Sequence, residues 1–137
     1  MTALTAVVWF ASLTLILSLA YALPRVPQVL LGKRKADAWT RGNAVADPGI
    51  LIRAQHAHLN CLEGLPPFAA IVLVAVAMGQ TAVADSVAAF ILYARVGQVA
   101  VHLVGTSFPL VLVRATFFIA QVLLMLYIAC GLLGLGV

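Results

Sequence analysis

The sequence predicts an all-α membrane protein, a bundle of four transmembrane helices, and three observations lead there. Only 9% of the 137 residues are charged while 64% are hydrophobic; a soluble domain carries about a quarter charged residues to cover its surface. The apolar residues fall into four runs, each close to the ~20 residues that cross ~30 Å of hydrocarbon. The breaks between the runs hold most of the proline and most of the charge. Most of this surface faces something other than water.

The first run starts at Ala3 and reaches Leu23, ahead of Pro24. Ala20-Tyr21-Ala22 looks like a small-residue cleavage site, but no basic residue precedes the run and it exceeds the ~7–15-residue core of a signal peptide. It reads as a membrane helix ending at Pro24, with a helical extension that takes the element to 3–31. A polar, basic loop over 32–48 follows, broken by Gly32, Gly42 and Pro48. The second helix is expected over 49–78, with Asp47 as its N-cap and a bend at Pro66-Pro67. Gly79-Gln80-Thr81 makes a turn, the third helix is expected over 85–104 with Asp85 near its start, and the fourth over 109–133 after Gly105-Thr106-Ser107, with Pro109 in its first turn.

The net charge of +4 is unevenly placed: five of the eight basic residues (Arg25, Lys33, Arg34, Lys35, Arg41) lie in or beside the first loop. That is the pattern of a cytoplasmic juxtamembrane loop rather than of a nucleic-acid surface. Both chain ends are then expected on the opposite side, and Arg114 on the side of the loop. The two cysteines, Cys61 and Cys130, lie in apolar runs and read as small buried hydrophobes, not as a disulfide pair.

An ionisable side chain costs at least ~2.5 kcal/mol at the bilayer centre, so those inside a span face the bundle and find partners. With ~1.5 Å rise per residue, Glu63 lies roughly 20 Å from the start of the second helix. Arg95 lies near the middle of the third, and a Glu63–Arg95 pair is expected. At ~100° per residue, Arg53, His56, Asn60 and Glu63 share an arc of ~80°, and Arg95, Gln98 and His102 one of ~60°. His58 points away from the first stripe. With Arg114, the stripes outline a polar cleft open toward the basic loop. One reading makes Glu63–Arg95 a register-fixing ion pair, with Asn60 and Gln98 as interhelical hydrogen bonds. The other makes Asn60, His56 and His102 part of a ligand site, because so many polar groups exceed what register needs. His56 and His58 diverge on a helix and cannot share one metal, and no metal site is expected. Arg53, His56, His58 and the loop lysines are suited to membrane lipid headgroups.

Over Ala57-His58-Leu59-Asn60-Cys61-Leu62-Glu63-Gly64-Leu65-Pro66-Pro67-Phe68 the chain resembles the MAPEG family, membrane-associated proteins of eicosanoid and glutathione metabolism. The second helix of that family carries Asn-x-x-Glu followed by proline and an aromatic residue, here Asn60, Glu63, Pro66-Pro67 and Phe68. Four helices, a basic first loop, Arg95 and Arg114 extend the resemblance over nearly the whole chain. It implies a homotrimer that binds glutathione as co-substrate between neighbouring subunits near the cytoplasmic side. Asn60 and Glu63 correspond to glutathione contacts, Arg95 to the internal partner of the glutamate, and Arg114 to the arginine that stabilises the thiolate. The chain departs from the eicosanoid enzymes in having His56 where they carry arginine, with Arg53 one turn further out. It has Gln98 and His102 where tyrosine or histidine is frequent, and Phe117 or Phe118 where a tyrosine follows the arginine.

The expected function is therefore that of a membrane glutathione-binding protein. In this reading Arg53, His56, Asn60, Glu63, Arg95, Gln98 and His102 line the ligand site, and Arg114 activates sulfur toward lipophilic electrophiles or lipid hydroperoxides. The alternative is a catalytically silent scaffold or lipid- and partner-binding protein of the same fold. A transporter or channel fits less well, because neither an inverted repeat nor a pair of broken helices is visible.

Overall fold

The computed structural model describes residues 1–40 and 47–135. Arg41 and Gly42, counted above in the basic loop, lie outside the described residues. The described chain contains α1 (Ala3–Ala22), a 3₁₀ turn over Leu23–Arg25, α2 (Val26–Leu30), α3 (Gly49–Ala77), α4 (Thr81–Val104) and α5 (Phe108–Leu132). Four spans result, because α1 and α2 join through the turn into one 28-residue helical stretch, Ala3–Leu30. Even the shortest, the 24 residues of α4, reaches about 36 Å at the rise of an α-helix.

Pro24 does not end the first span. It falls in the first turn of the 3₁₀ segment, and Pro27 in the first turn of α2, positions where the missing N–H has no acceptor to lose. The stop comes at Gly32, whose φ of 66° lies in the left-handed region. Gly79 ends α3 in the same conformation, φ 67°. There Gln80 N–H donates to the Ala75 carbonyl and Gly79 N–H to that of Val76, the paired bonds of a Schellman stop. Between these ends α3 runs unbroken through Pro66 and Pro67.

Two expectations about helix starts change. The third membrane helix begins at Thr81, four residues before the expected start at 85. Asp85 serves another helix: its Oδ1 accepts from the Ala3 N–H at 2.6 Å, placing an anion at the positive end of α1. Asp47 does not cap α3 either. The N-cap is Pro48, with no side-chain bond. Asp47 instead forms an ion pair with Arg25 at 2.8 Å and accepts from the Trp39 indole. A short acidic side chain before a helix looks the same in sequence whichever donor it meets in space.

These cross-links also fix the directions of the spans. The Asp85–Ala3 bond sets the starts of α1 and α4 at one end of the bundle. At the other, the loop end, Arg25 donates to Gln55 at 2.8 Å and Arg53 to the Leu103 carbonyl at 2.9 Å. The helices alternate in direction, with α1 packed on α3 and α4, and α5 packed chiefly on α4 and only lightly on α3. Ala6, Ala57, Ala84 and Ala88 are all within 1% of full burial and let backbones approach, while Phe10, Phe68, Val72 and Ile91 fill the spaces between. Gly97 gives α5 its seat: a Cβ there would lie 2.8 Å from the Phe117 ring. Outward positions such as Val8, Trp9, Ile16, Leu73 and Leu123 are exposed, the apolar coat of a helix bundle in lipid.

Candidate functional site

The polar residues of α3 and α4 meet at mid-bundle, but not in the expected pairing. Arg95 is 2% exposed, and no ion pair joins it to Glu63, whereas one joins Arg25 to Asp47. The anticipated Glu63–Arg95 pair is absent. Arg95 Nη1 donates to the Asn60 backbone carbonyl at 3.1 Å, and the guanidinium carbon sits 4.9 Å from the centre of the Phe10 ring. A cation over an aromatic face substitutes for part of the lost solvation. Gly64 makes room for this arrangement, since a Cβ there would overlap Arg95 Nη2. Phe10 and Gly64 are the signals that sequence reading lacked: neither is polar, and each acts by leaving or filling space. Freed from Arg95, Glu63 is exposed on the chain surface.

A cavity of about 300 Å³ opens between α3 and α5, lined by Asn60, Glu63, Gln98, Val111, Arg114 and Phe118, with Ala115 beside them. Four residues named from the sequence thus converge: two from α3, one from α4 and Arg114 from α5. Arg114 Nε is buried with no hydrogen-bond partner among the described residues. A second compartment, about 260 Å³, continues the seam away from the loop end and shares Glu63 and Phe118 with the first. Arg95 lines this second compartment, with Gly64, Pro67, Gln121 and Met125.

Three sequence-predicted residues lie behind or above the cleft rather than on its wall. Arg53 Nε is committed to the Leu103 carbonyl, tying the start of α3 to the end of α4. His102 is buried at 3% exposure, with Nδ1 3.3 Å from Asn60 Nδ2. If that contact is the amide donating, Asn60 keeps its Oδ1 as acceptor. His56 is exposed, its ring centre 6.2 Å from that of His102. His58, set aside on helical phase, turns to α1, where its Nδ1 lies 2.9 Å from the Thr14 carbonyl.

Gln121 is the residue that sequence reading missed. It is 1% exposed, and its Nε2 donates to Gln98 Oε1 at 3.0 Å and to the Phe117 carbonyl at 2.8 Å. Its Oε1 is buried without a partner among the described residues. The available signal was phase: seven residues separate Gln121 from Arg114, which returns it to within ~20° of the same face.

Four apolar spans enclosing a polar cleft define a multi-pass integral membrane protein. The family model described as MAPEG family matches residues 2–134, and the chain belongs to that family. No match to the chain is found among curated proteins or solved structures.

Proposed function

We propose that the chain binds glutathione in the cleft between α3 and α5 and uses Arg114 to hold its sulfur as thiolate. The observation that carries this reading is the convergence of Asn60, Glu63, Gln98 and Arg114 on one cavity, with Arg114 Nε buried and unpartnered among the described residues. A thiol with an ordinary pKa near ~8.5 is mostly protonated at neutral pH, and an adjacent cation shifts it toward the nucleophilic form. Asn60, through its amide oxygen, and Glu63, through its carboxylate, are acceptors suited to the peptide N–H groups and the amino group of the tripeptide. His56 and Arg53 lie at the loop end of the α3 stripe and are suited to its carboxylates, with buried His102 set behind Asn60.

The electrophile reaches the thiolate from the bilayer along the open seam. In conjugation a carbon–sulfur bond forms, the leaving group departs with the electron pair, and the thiol proton goes to solvent. With a lipid hydroperoxide, sulfur bonds the terminal oxygen, the O–O bond breaks, and the alkoxide takes a proton to become the alcohol. A second glutathione then attacks the sulfenic acid, giving the disulfide and water. We further propose a homotrimer, with the loop end cytoplasmic and neighbouring copies closing the lightly packed α3–α5 side.

Calorimetric titration of glutathione into the purified protein tests this reading, comparing wild type with Glu63→Gln and Arg114→Ala. Saturable binding lost in both variants supports it. Absence of binding to folded wild type rejects it in favour of a catalytically silent lipid- or partner-binding protein.

A further inference from the structure

Two side-chain amides meet behind the cleft, and a backbone carbonyl decides which way both of them face. Gln98 on α4 and Gln121 on α5 are buried. An amide has a donor end, the NH₂, and an acceptor end, the oxygen, and its hydrogen-bond partners determine which end goes where. For Gln121 the deciding partner is the Phe117 carbonyl, 2.8 Å from Nε2. A carbonyl can only accept, so the end of Gln121 that meets it is the NH₂. The same nitrogen carries a second proton, and Gln98 Oε1 lies 3.0 Å from it. Were Gln98 turned over, two NH₂ groups would face each other. Its oxygen is therefore held toward Gln121, and its own NH₂ is left for another partner.

Gln98 Nε2 makes no hydrogen bond among the described residues. It also keeps some surface: the buried polar atoms without partners are Arg95 Nε, Arg114 Nε and Gln121 Oε1. Gln98 lines the cleft with Asn60, Glu63 and Arg114, while Gln121 stands behind it. We propose that Gln121 is a positioning residue that, through Gln98, makes the α4 wall of the cleft a hydrogen-bond donor for a carbonyl oxygen of the ligand. A ligand N–H at the same place would face a donor and be rejected; an unlocked Gln98 could turn to accept it. This role rests on the glutathione reading. With the carboxylates of the tripeptide at the loop end, the oxygen that meets Gln98 is a peptide carbonyl.

The test follows the side-chain amide protons by NMR, in protein carrying isotope-labelled glutamine, in micelles and first without ligand. The Gln98 and Gln121 signals are assigned by their loss in Gln98→Leu and Gln121→Met. In wild type the Gln121 NH₂ is expected to be protected from exchange with water and the Gln98 NH₂ to exchange faster. Adding glutathione should shift the Gln98 NH₂ signals. In Gln121→Met, whose flexible chain fills the space, that shift is lost and glutathione binds about tenfold more weakly, the scale of one hydrogen bond. Gln121→Leu serves in its place if the methionine variant does not fold. A Gln98 NH₂ as protected as that of Gln121 overturns the proposal, as does wild-type affinity with an unchanged Gln98 shift in the Gln121 variant. Failure of wild type to bind glutathione rejects the thiol cleft instead, and the exchange comparison, made without ligand, still decides the orientation of Gln98.

Discussion

Arg95 hydrogen-bonds the backbone carbonyl of Asn60, not the carboxylate of Glu63. The arginine thus braces the helix that carries Asn60 and Glu63 while leaving both side chains available to the cleft. A buried charge is held here by a carbonyl dipole and the face of Phe10, and the glutamate is spared for another partner.

This arrangement predicts unequal effects of the two charges on stability. Glu63→Gln is expected to change unfolding free energy by less than about 0.5 kcal/mol, as for a site outside any stabilising network. Arg95→Ala, which removes the side-chain donor from the Asn60 carbonyl and opens a void beside Phe10, is expected to cost about 3 kcal/mol. Unfolding in mixed micelles measures both. A loss in Glu63→Gln as large as that in Arg95→Ala would restore the ion pair.

Gly64→Ala is expected to destabilise by about 2 kcal/mol, the scale of overpacking in a close-packed interior. The added methyl meets the Arg95 guanidinium, with the Phe10 ring 3.4 Å away on the other side. Pairing it with Arg95→Met, whose unbranched chain yields, should recover part of the loss in a double-mutant cycle. Additive effects would show that the glycine serves something other than the arginine.

At the loop end, Arg25 lies 4.9 Å from the Tyr21 ring centre and 5.4 Å from that of Trp39, while pairing with Asp47. Asp47→Ala should release Trp39, with a red-shifted, more quenchable indole emission and faster proteolysis after Lys33–Lys35. Trp9 emits as well, so the comparison is made in a Trp9→Phe background. Glutathione binding should persist, because none of these residues lines the cleft.

Asp85→Ala removes the anion that meets the first N–H of α1 and is expected to cost about 1 kcal/mol, the usual worth of a helix cap. Asp85→Asn keeps an acceptor and should cost a few tenths of that. Hydrogen exchange at Ala3 to Ala6 reports the effect directly. Unchanged protection in both variants would remove the capping role.

The spans were legible because bilayer thickness imposes length and apolarity on each in turn, so composition alone located four. Helical phase also worked. It grouped Asn60 with Glu63, put Gln98 on the same interior, and excluded His58. What sequence concealed was which partner each polar group takes when several lie within reach. Arg95 chose a carbonyl, Asp47 an arginine and an indole, and Asp85 a helix end 82 positions away. Charge complementarity suggested Glu63–Arg95, but the outcome depended on Gly64 and Phe10, whose contribution is shape. Gln121 escaped notice as one amide in a long apolar run.

The tandem prolines of α3 leave a gap in its ladder where the two compartments adjoin. Neither ring nitrogen can donate, so the carbonyls of Leu62 and Glu63 receive no N–H from four residues on. The intact helix elsewhere confines this slack to a single turn, beside the side chains that line the cleft. The span therefore has its loosest turn at cleft depth, between a half held to α1 by His58 at the Thr14 carbonyl and a half held there by Phe68 against Phe10.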